Sequence, residues 1–237
     1  EQFQNIFLSP EIDFLIEDLE TSDKASNILK KQEGSYTDLY FNYSINQDLR
    51  DKKYRTESGY VTTFSQELPL VSDNSEFSNA FEITSYKKLS STSDLIGKVS
   101  FYGKTITGLS DDVRISKRLN VPSYRLRGFQ RGKVGPVENN DYIGGNHITS
   151  LNLSATLPNI VQGLDNLDVG VFFDAANLWG VDYDSSIDDK STLRSSTGVA
   201  LNLMTPIGPL SFSFANALSK ASTDKTETFR FNLGTQF

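Results

Sequence analysis

Apolar and polar side chains alternate along most of this chain, and any fold it adopts has to satisfy that period of two. In "DLYFNYSIN", Leu39, Phe41, Tyr43 and Ile45 alternate with Tyr40, Asn42 and Ser44. In "SLNLSATLP", Leu151, Leu153, Ala155 and Leu157 are set against Asn152, Ser154 and Thr156. In "LDVGVFFDA", Leu167, Val169, Val171 and Phe173 share a face opposite Asp168, Gly170 and Asp174. "GVALNL", "LSFSFANAL" and "TFRFNLGTQF" repeat the pattern, the last with Phe229, Phe231, Leu233 and Phe237 in phase. Successive residues of a strand point to opposite faces, so this alternation predicts strands with one apolar and one polar side. Two stretches, 12–19 and 24–31, compete with a helical period, and neither carries a convincing cap pair.

About eleven strands are expected, each near the ~9–11 residues that a tilted strand needs to cross a bilayer. Their positions are 11–20, 36–47, 57–69, 77–89, 95–107, 111–120, 146–157, 166–177, 194–205, 209–219 and 227–237. Two all-β architectures satisfy the pattern. A soluble sandwich turns its apolar faces inward onto a core, and a membrane barrel turns them outward to lipid. Strand length, hairpin order without crossover helices and unequal connections favour the barrel. Links such as Pro206-Ile-Gly-Pro209 are tight, whereas 121–145 and 179–193 are long and polar. Short turns on one rim and long loops on the other characterise outer-membrane barrels, which in bacteria use even strand numbers. An odd count therefore suggests a chain without its first strands, and the opening Glu-Gln-Phe-Gln suggests a mature chain or a piece of a longer one.

Composition narrows the chemistry. Only 37% of residues are hydrophobic, a dilution that a barrel with a polar interior shares with soluble proteins. No apolar run approaches the roughly 18 residues of a spanning helix. There is no cysteine, so disulfides and thiolate metal sites are unavailable, and a net charge of −7 argues against nucleic-acid binding. His147 is the sole histidine, and Ser150 and Ser154 lie on the opposite strand face, which disfavours a serine hydrolase. Asp182, Asp184, Ser186 and Asp188 alternate like calcium ligands, but Ile187 and Leu193 occupy the places of the required glycine and glutamate. A solvated acidic loop is the better reading, with loose divalent binding as its alternative. Trp179, Tyr183, Tyr142 and Tyr124 sit near strand ends, as girdle aromatics or ordinary packing residues. No cofactor, metal or catalytic residue is expected.

The most unusual segment is "SYRLRGFQRG" at 123–132, basic and glycine-punctuated within an acidic chain. "LRGFQ" is followed by "GPVENNDYIGGN", "VFFDAANLWG", "RSSTGVALNLMTPIGPLSFSFANAL" and "ETFRFNLGTQF". This order and spacing resembles the BamA family of outer-membrane protein assembly factors, strongly over 111–237 and more softly over 36–110. The resemblance implies an antiparallel transmembrane β-barrel of about sixteen strands, of which residues 1–237 would form the C-terminal portion, without the periplasmic POTRA domains. It implies a non-enzymatic insertase that folds barrel proteins at a lateral seam. Its clients would be unfolded outer-membrane barrel proteins, its other partners accessory assembly lipoproteins and outer-membrane lipid. A two-partner secretion transporter or a porin-like pore is the alternative.

The resemblance further implies that the loop at about 121–145 folds into the lumen, with Leu126, Arg127, Gly128 and Phe129 at its tip. Glycine at 128 permits a tight reversal, and Arg127 supplies a planar fork for a carboxylate. Face parity with Phe173 makes Asp174 the expected partner. The family's second acidic position aligns with Ser154, and its Asp-x-Gly is here Asp174-Ala175-Ala176. Phe229, Phe231, Leu233 and Phe237 match the family's terminal-strand signal for outer-membrane assembly.

Overall fold

The computed structural model describes residues 5–23, 25–53, 55–158, 160, 166–182, 187–205 and 208–233. Among them, one antiparallel sheet of ten strands dominates. Its strands are β1 (Ile6–Leu19), β2 (Gly34–Asp48), β3 (Ser58–Ser72), β4 (Glu76–Lys88), β5 (Ile96–Gly108), β8 (His147–Leu157), β9 (Leu167–Trp179), β10 (Arg194–Thr205), β11 (Gly208–Ser219) and β12 (Phe229–Leu233). Each pairs with its sequence neighbour, apart from β5, which meets β8 across the long connection 109–146. That connection carries a small hairpin of β6 (Val137–Glu138) and β7 (Asp141–Tyr142). The sheet is open, since β1 and β12 each have one neighbour among the described residues.

The registers put the period of two to use. Ile45 lies opposite Phe64, Phe64 opposite Phe81, Phe101 opposite Leu151, Val171 opposite Val199, and Phe214 opposite Phe229. These residues form one continuous apolar face, and most of them remain open to the surroundings: Val171 is 58% exposed and Phe229 50%. A soluble sandwich would have buried this face. On the other side, the upper inner wall packs against the 109–146 connection. Ile106, Ile148, Ala176 and Leu178 of the wall meet Val113, Leu119, Val121, Leu126, Phe129 and Val134 of the connection.

Two expectations need correction. The segment 111–120 is not a strand but the base of the long connection, turning through a 3-10 helix at Ile115–Lys117 and touching Gly145 through a single bridge at Leu119. Its alternation reads like a strand because Val113 and Leu119 are buried in the loop core while Arg114 and Arg118 are buried against carboxylates. The sheet therefore has ten described strands, and the argument from an odd count loses its premise. The helical competitor 12–19 is the edge strand β1, whereas within 24–31 a short helix α1 (Asn27–Lys31) does form. Ser26 caps it, its hydroxyl accepting from the Leu29 N–H at 3.3 Å. Pro69 is accommodated in β3 because the pairing with β2 skips a residue there, a place where a missing donor costs little. The tight turn at Pro206 and Ile207 lies outside the described residues, as do Phe237, Tyr183, Asp184 and Ser186.

Candidate functional site

The inner wall and the long connection meet through a set of arginine–carboxylate pairs. Arg127 lies at the centre. Its Nε and Nη2 donate to Asp174 Oδ2 and Oδ1 at 2.7 and 2.8 Å, a fork on a carboxylate that is fully buried on β9. The Arg127 backbone N–H donates to the same carboxylate at 3.1 Å. Asn152 on β8, directly opposite Asp174, donates its amide to Asp174 Oδ1 and also to the Arg125 carbonyl, both at 2.8 Å. The Arg127 guanidinium lies 3.5 Å from the centre of the Phe172 ring, so it is held by a carboxylate and a π face at once. The Ser196 hydroxyl donates to the Arg127 carbonyl.

The residues flanking Arg127 explain its placement. Leu126 and Phe129 are each 2% exposed, inside the loop core, and burial of such side chains contributes about 1.5–3 kcal/mol each. Gly128 has φ +88, a left-handed conformation open to glycine at little cost. A Cβ there would stand 3.1 Å from Ala215 Cβ and 3.3 Å from Ser196 Cβ, so the close approach to β10 and β11 also favours glycine. The turn thus drives its two apolar neighbours into the core while aiming Arg127 at the wall.

The aligned second acidic position, Ser154, carries no charge and lines a cavity of about 550 Å³ below the loop. The neighbouring inward residue Asn152 occupies the coordination of Asp174 instead. Sequence reasoning also missed three further arginines of the same connection. Arg125 contacts Glu82 at 2.7 Å and lies 4.0 Å from the Tyr102 ring centre. Arg118 pairs with Asp182 of the 180–193 connection. Arg114, fully buried, pairs with Asp38 on β2 and approaches Glu76 on β4 at 3.5 Å. The signal available in the sequence was the crowding of Arg114, Arg118, Arg125 and Arg127 into one segment of an acidic chain.

Asp182 anchors the base of the connection. Its Oδ2 accepts from the Val113 N–H at 3.0 Å and the Asn146 amide at 2.9 Å, besides the contact with Arg118. Burial pushes this carboxyl up, but the Val113 N–H, Arg118 and Asn146 together outweigh it and hold it below the usual carboxylate range. Its oxygens are committed to these donors, and no cluster of three or more potential metal ligands occurs among the described residues. Asp184 and Ser186, two of the four residues of the divalent-binding alternative, lie outside the described residues. His147 lies on the strand face opposite Ser150 and stacks on Trp179, ring centres 5.5 Å apart.

The same architecture and sequence order occur in known proteins. The Omp85 superfamily domain matches residues 11–237.

The chain belongs to the Omp85 superfamily. Among curated relatives, the outer membrane protein assembly factor BamA of Neisseria meningitidis serogroup B is 31% identical over 141 residues, covering 47% of this chain and 17% of that protein. BamA of Nitratidesulfovibrio vulgaris is 24% identical over 227 residues, covering 91% of this chain and 28% of that protein. The crystal structure of Haemophilus ducreyi BamA lacking POTRA domains 1–3 superposes with a TM-score of 0.76 at 26% identity, over 84% of this chain and 42% of that one. The Omp85 chain is thus of the BamA type, and it spans less than a third of the length of these curated relatives. It is a bacterial outer-membrane protein, and its exposed apolar face is the lipid-facing surface of a barrel wall.

Proposed function

We propose that residues 1–237 are the C-terminal portion of the barrel of an outer-membrane protein assembly factor. The protein would act without covalent chemistry, folding and inserting unfolded β-barrel clients at a seam, together with accessory lipoproteins and the surrounding lipid. The connection 121–145 acts as an internal latch in the lumen, with Leu126, Arg127, Gly128 and Phe129 as its tip and Asp174 as its seat. The fork between Arg127 and Asp174 carries this reading. A solvated pore loop has no need of a buried carboxylate matched to one guanidinium. Removing two charges from water is costly unless geometry and further hydrogen bonds compensate. The names of the BamA relatives support the assembly role.

The mechanism follows from edge physics. A strand edge presents unpaired N–H and C=O groups, a template onto which another strand can add. Phe229, Phe231 and Leu233 of β12 face lipid, so a client strand adding at that edge would enter the bilayer with its own apolar face already oriented. Phe237 belongs to the same signal.

The test uses the full-length protein in proteoliposomes and a urea-unfolded barrel client, with folding followed by heat-modifiable gel mobility. Acceleration over empty vesicles supports the assembly reading. Ion leakage without acceleration would replace it with a transport pore.

A further inference from the structure

The loop tip touches the last strand as well as the wall. Residues 128–133 run antiparallel to 225–227, the segment that leads into β12. Gln130 N–H donates to the Lys225 carbonyl at 2.9 Å, Lys225 N–H to the Lys133 carbonyl at 3.1 Å, and Glu227 N–H to the Gly128 carbonyl at 3.0 Å. Phe129 and Thr226 form the bridge between them. Arg230, on β12, completes the contact from the inner face. Its Nη1 donates to the Ser123 carbonyl and its Nη2 to the Phe129 carbonyl, both at 2.6 Å, while its Nε meets the Glu227 carboxylate at 2.5 Å. One guanidinium therefore grips the backbone on both sides of the Arg127 turn.

By comparison, the pairing of β12 with β11 covers Phe229–Leu233 and is extended by one bond, from the Ala215 N–H to the Thr228 carbonyl at 2.8 Å, among the described residues. We propose that Arg230 is the positioning residue through which the loop controls the last strand. With Arg127 seated on Asp174, the Ser123 and Phe129 carbonyls stand where Arg230 reaches both, and the start of β12 is held to the inner wall. When the loop lifts, Arg230 loses both acceptors, the strip at 225–227 loses its partner, and the last strand frays from its first residue. Planarity matters here: the two donors of a guanidinium can span two carbonyls, whereas the single ammonium of lysine is a point charge. The consequence for client entry rests on the assembly reading above, because a loosened β12 exposes the edge on which a client strand would add. The coupling itself does not rest on it.

The experiment is hydrogen exchange of the full-length protein in lipid nanodiscs, comparing wild type with Arg127→Gln, Arg230→Gln and Arg230→Lys. The Arg127 side chain is held by Asp174 and Phe172 of β9, not by β12, yet Arg127→Gln is expected to speed exchange across 224–231 by about tenfold, the loss of one charge-assisted hydrogen bond. Arg230→Gln is expected to speed exchange at 123–130 to a similar degree, with Arg230→Lys in between. If Arg127→Gln releases only the loop and leaves 224–231 protected, or if the effect of Arg230→Gln stays within β12, the coupling is overturned. Should Arg230→Gln fail to reach the heat-modifiable folded form, the response to Arg127→Gln decides alone. If exchange behaves as expected while the wild-type protein does not accelerate client folding, the coupling stands and the assembly reading falls.

Discussion

Replacing Asp174 by asparagine keeps the shape of the side chain and removes its charge, which isolates the electrostatic part of the latch. The wild-type carboxylate accepts from Arg127 Nε, Nη2 and backbone N–H and from the Asn152 amide, at 2.7, 2.8, 3.1 and 2.8 Å. An asparagine amide must direct its NH2 at one of these donors, so at least one hydrogen bond becomes a donor–donor conflict. Breaking one side of a fully buried pair costs about 3–5 kcal/mol. The Arg127 side chain keeps 20% exposure and the Phe172 face, which lowers the cost to about 2–3 kcal/mol, a loss of roughly 30- to 150-fold in the seating of the loop. Limited proteolysis of the full-length protein in nanodiscs reads this as faster cleavage within 121–145. Asp174→Asn combined with Arg127→Gln is expected to add little to either change alone, because both remove the same contact. Wild-type protease resistance in Asp174→Asn would refute the argument that the carboxylate seats the loop.

The other expectations are more local. Gly128→Ala forces a Cβ into a left-handed turn at 3.1 Å from Ala215, and is expected to cost the seated loop about 1–2 kcal/mol, seen as faster exchange at 126–130. Because the Asp182 carboxyl is depressed in the folded protein, its contribution is present in full above its unfolded value near about pH 4 and is lost as pH falls through the lower folded value. Exchange of the Val113 amide, which Asp182 holds, is therefore expected to rise only in that acid range, with Asp112 and Arg118 as the neighbouring charges. Val171→Arg places a cation on the lipid face and is expected to destabilise the folded barrel by about 2–4 kcal/mol if it lies at mid-bilayer depth, read as a lower urea midpoint in vesicles.

The sheet was legible because period two is a local property. Each strand declares its own faces, and the registers Phe64 to Phe81 and Phe101 to Leu151 merely align them. The base of the long connection was not legible for the same reason. Val113, Arg114, Ile115 and Ser116 alternate as a strand would, while the partners of Arg114 lie on β2 and β4, remote in sequence. The capping of α1 by Ser26 was overlooked because the cap works through one hydroxyl and lacks an acidic partner in the first turn. Asp174 could be chosen from face parity together with the family resemblance, whereas the role of Asn152 depends on how β8 is registered against β9. Arg230 gave no local signal, because its acceptors are backbone carbonyls of the loop, which no side-chain pattern encodes.

One measurement bears most directly on the claim that a seated lumenal loop serves barrel assembly. In proteoliposomes, the rate at which the full-length protein folds a urea-unfolded barrel client is compared between wild type and Arg127→Glu, both verified as folded by heat-modifiable mobility. The account predicts acceleration by wild type and its loss in Arg127→Glu, where a carboxylate would face the buried Asp174. Equal acceleration by the two proteins would contradict it.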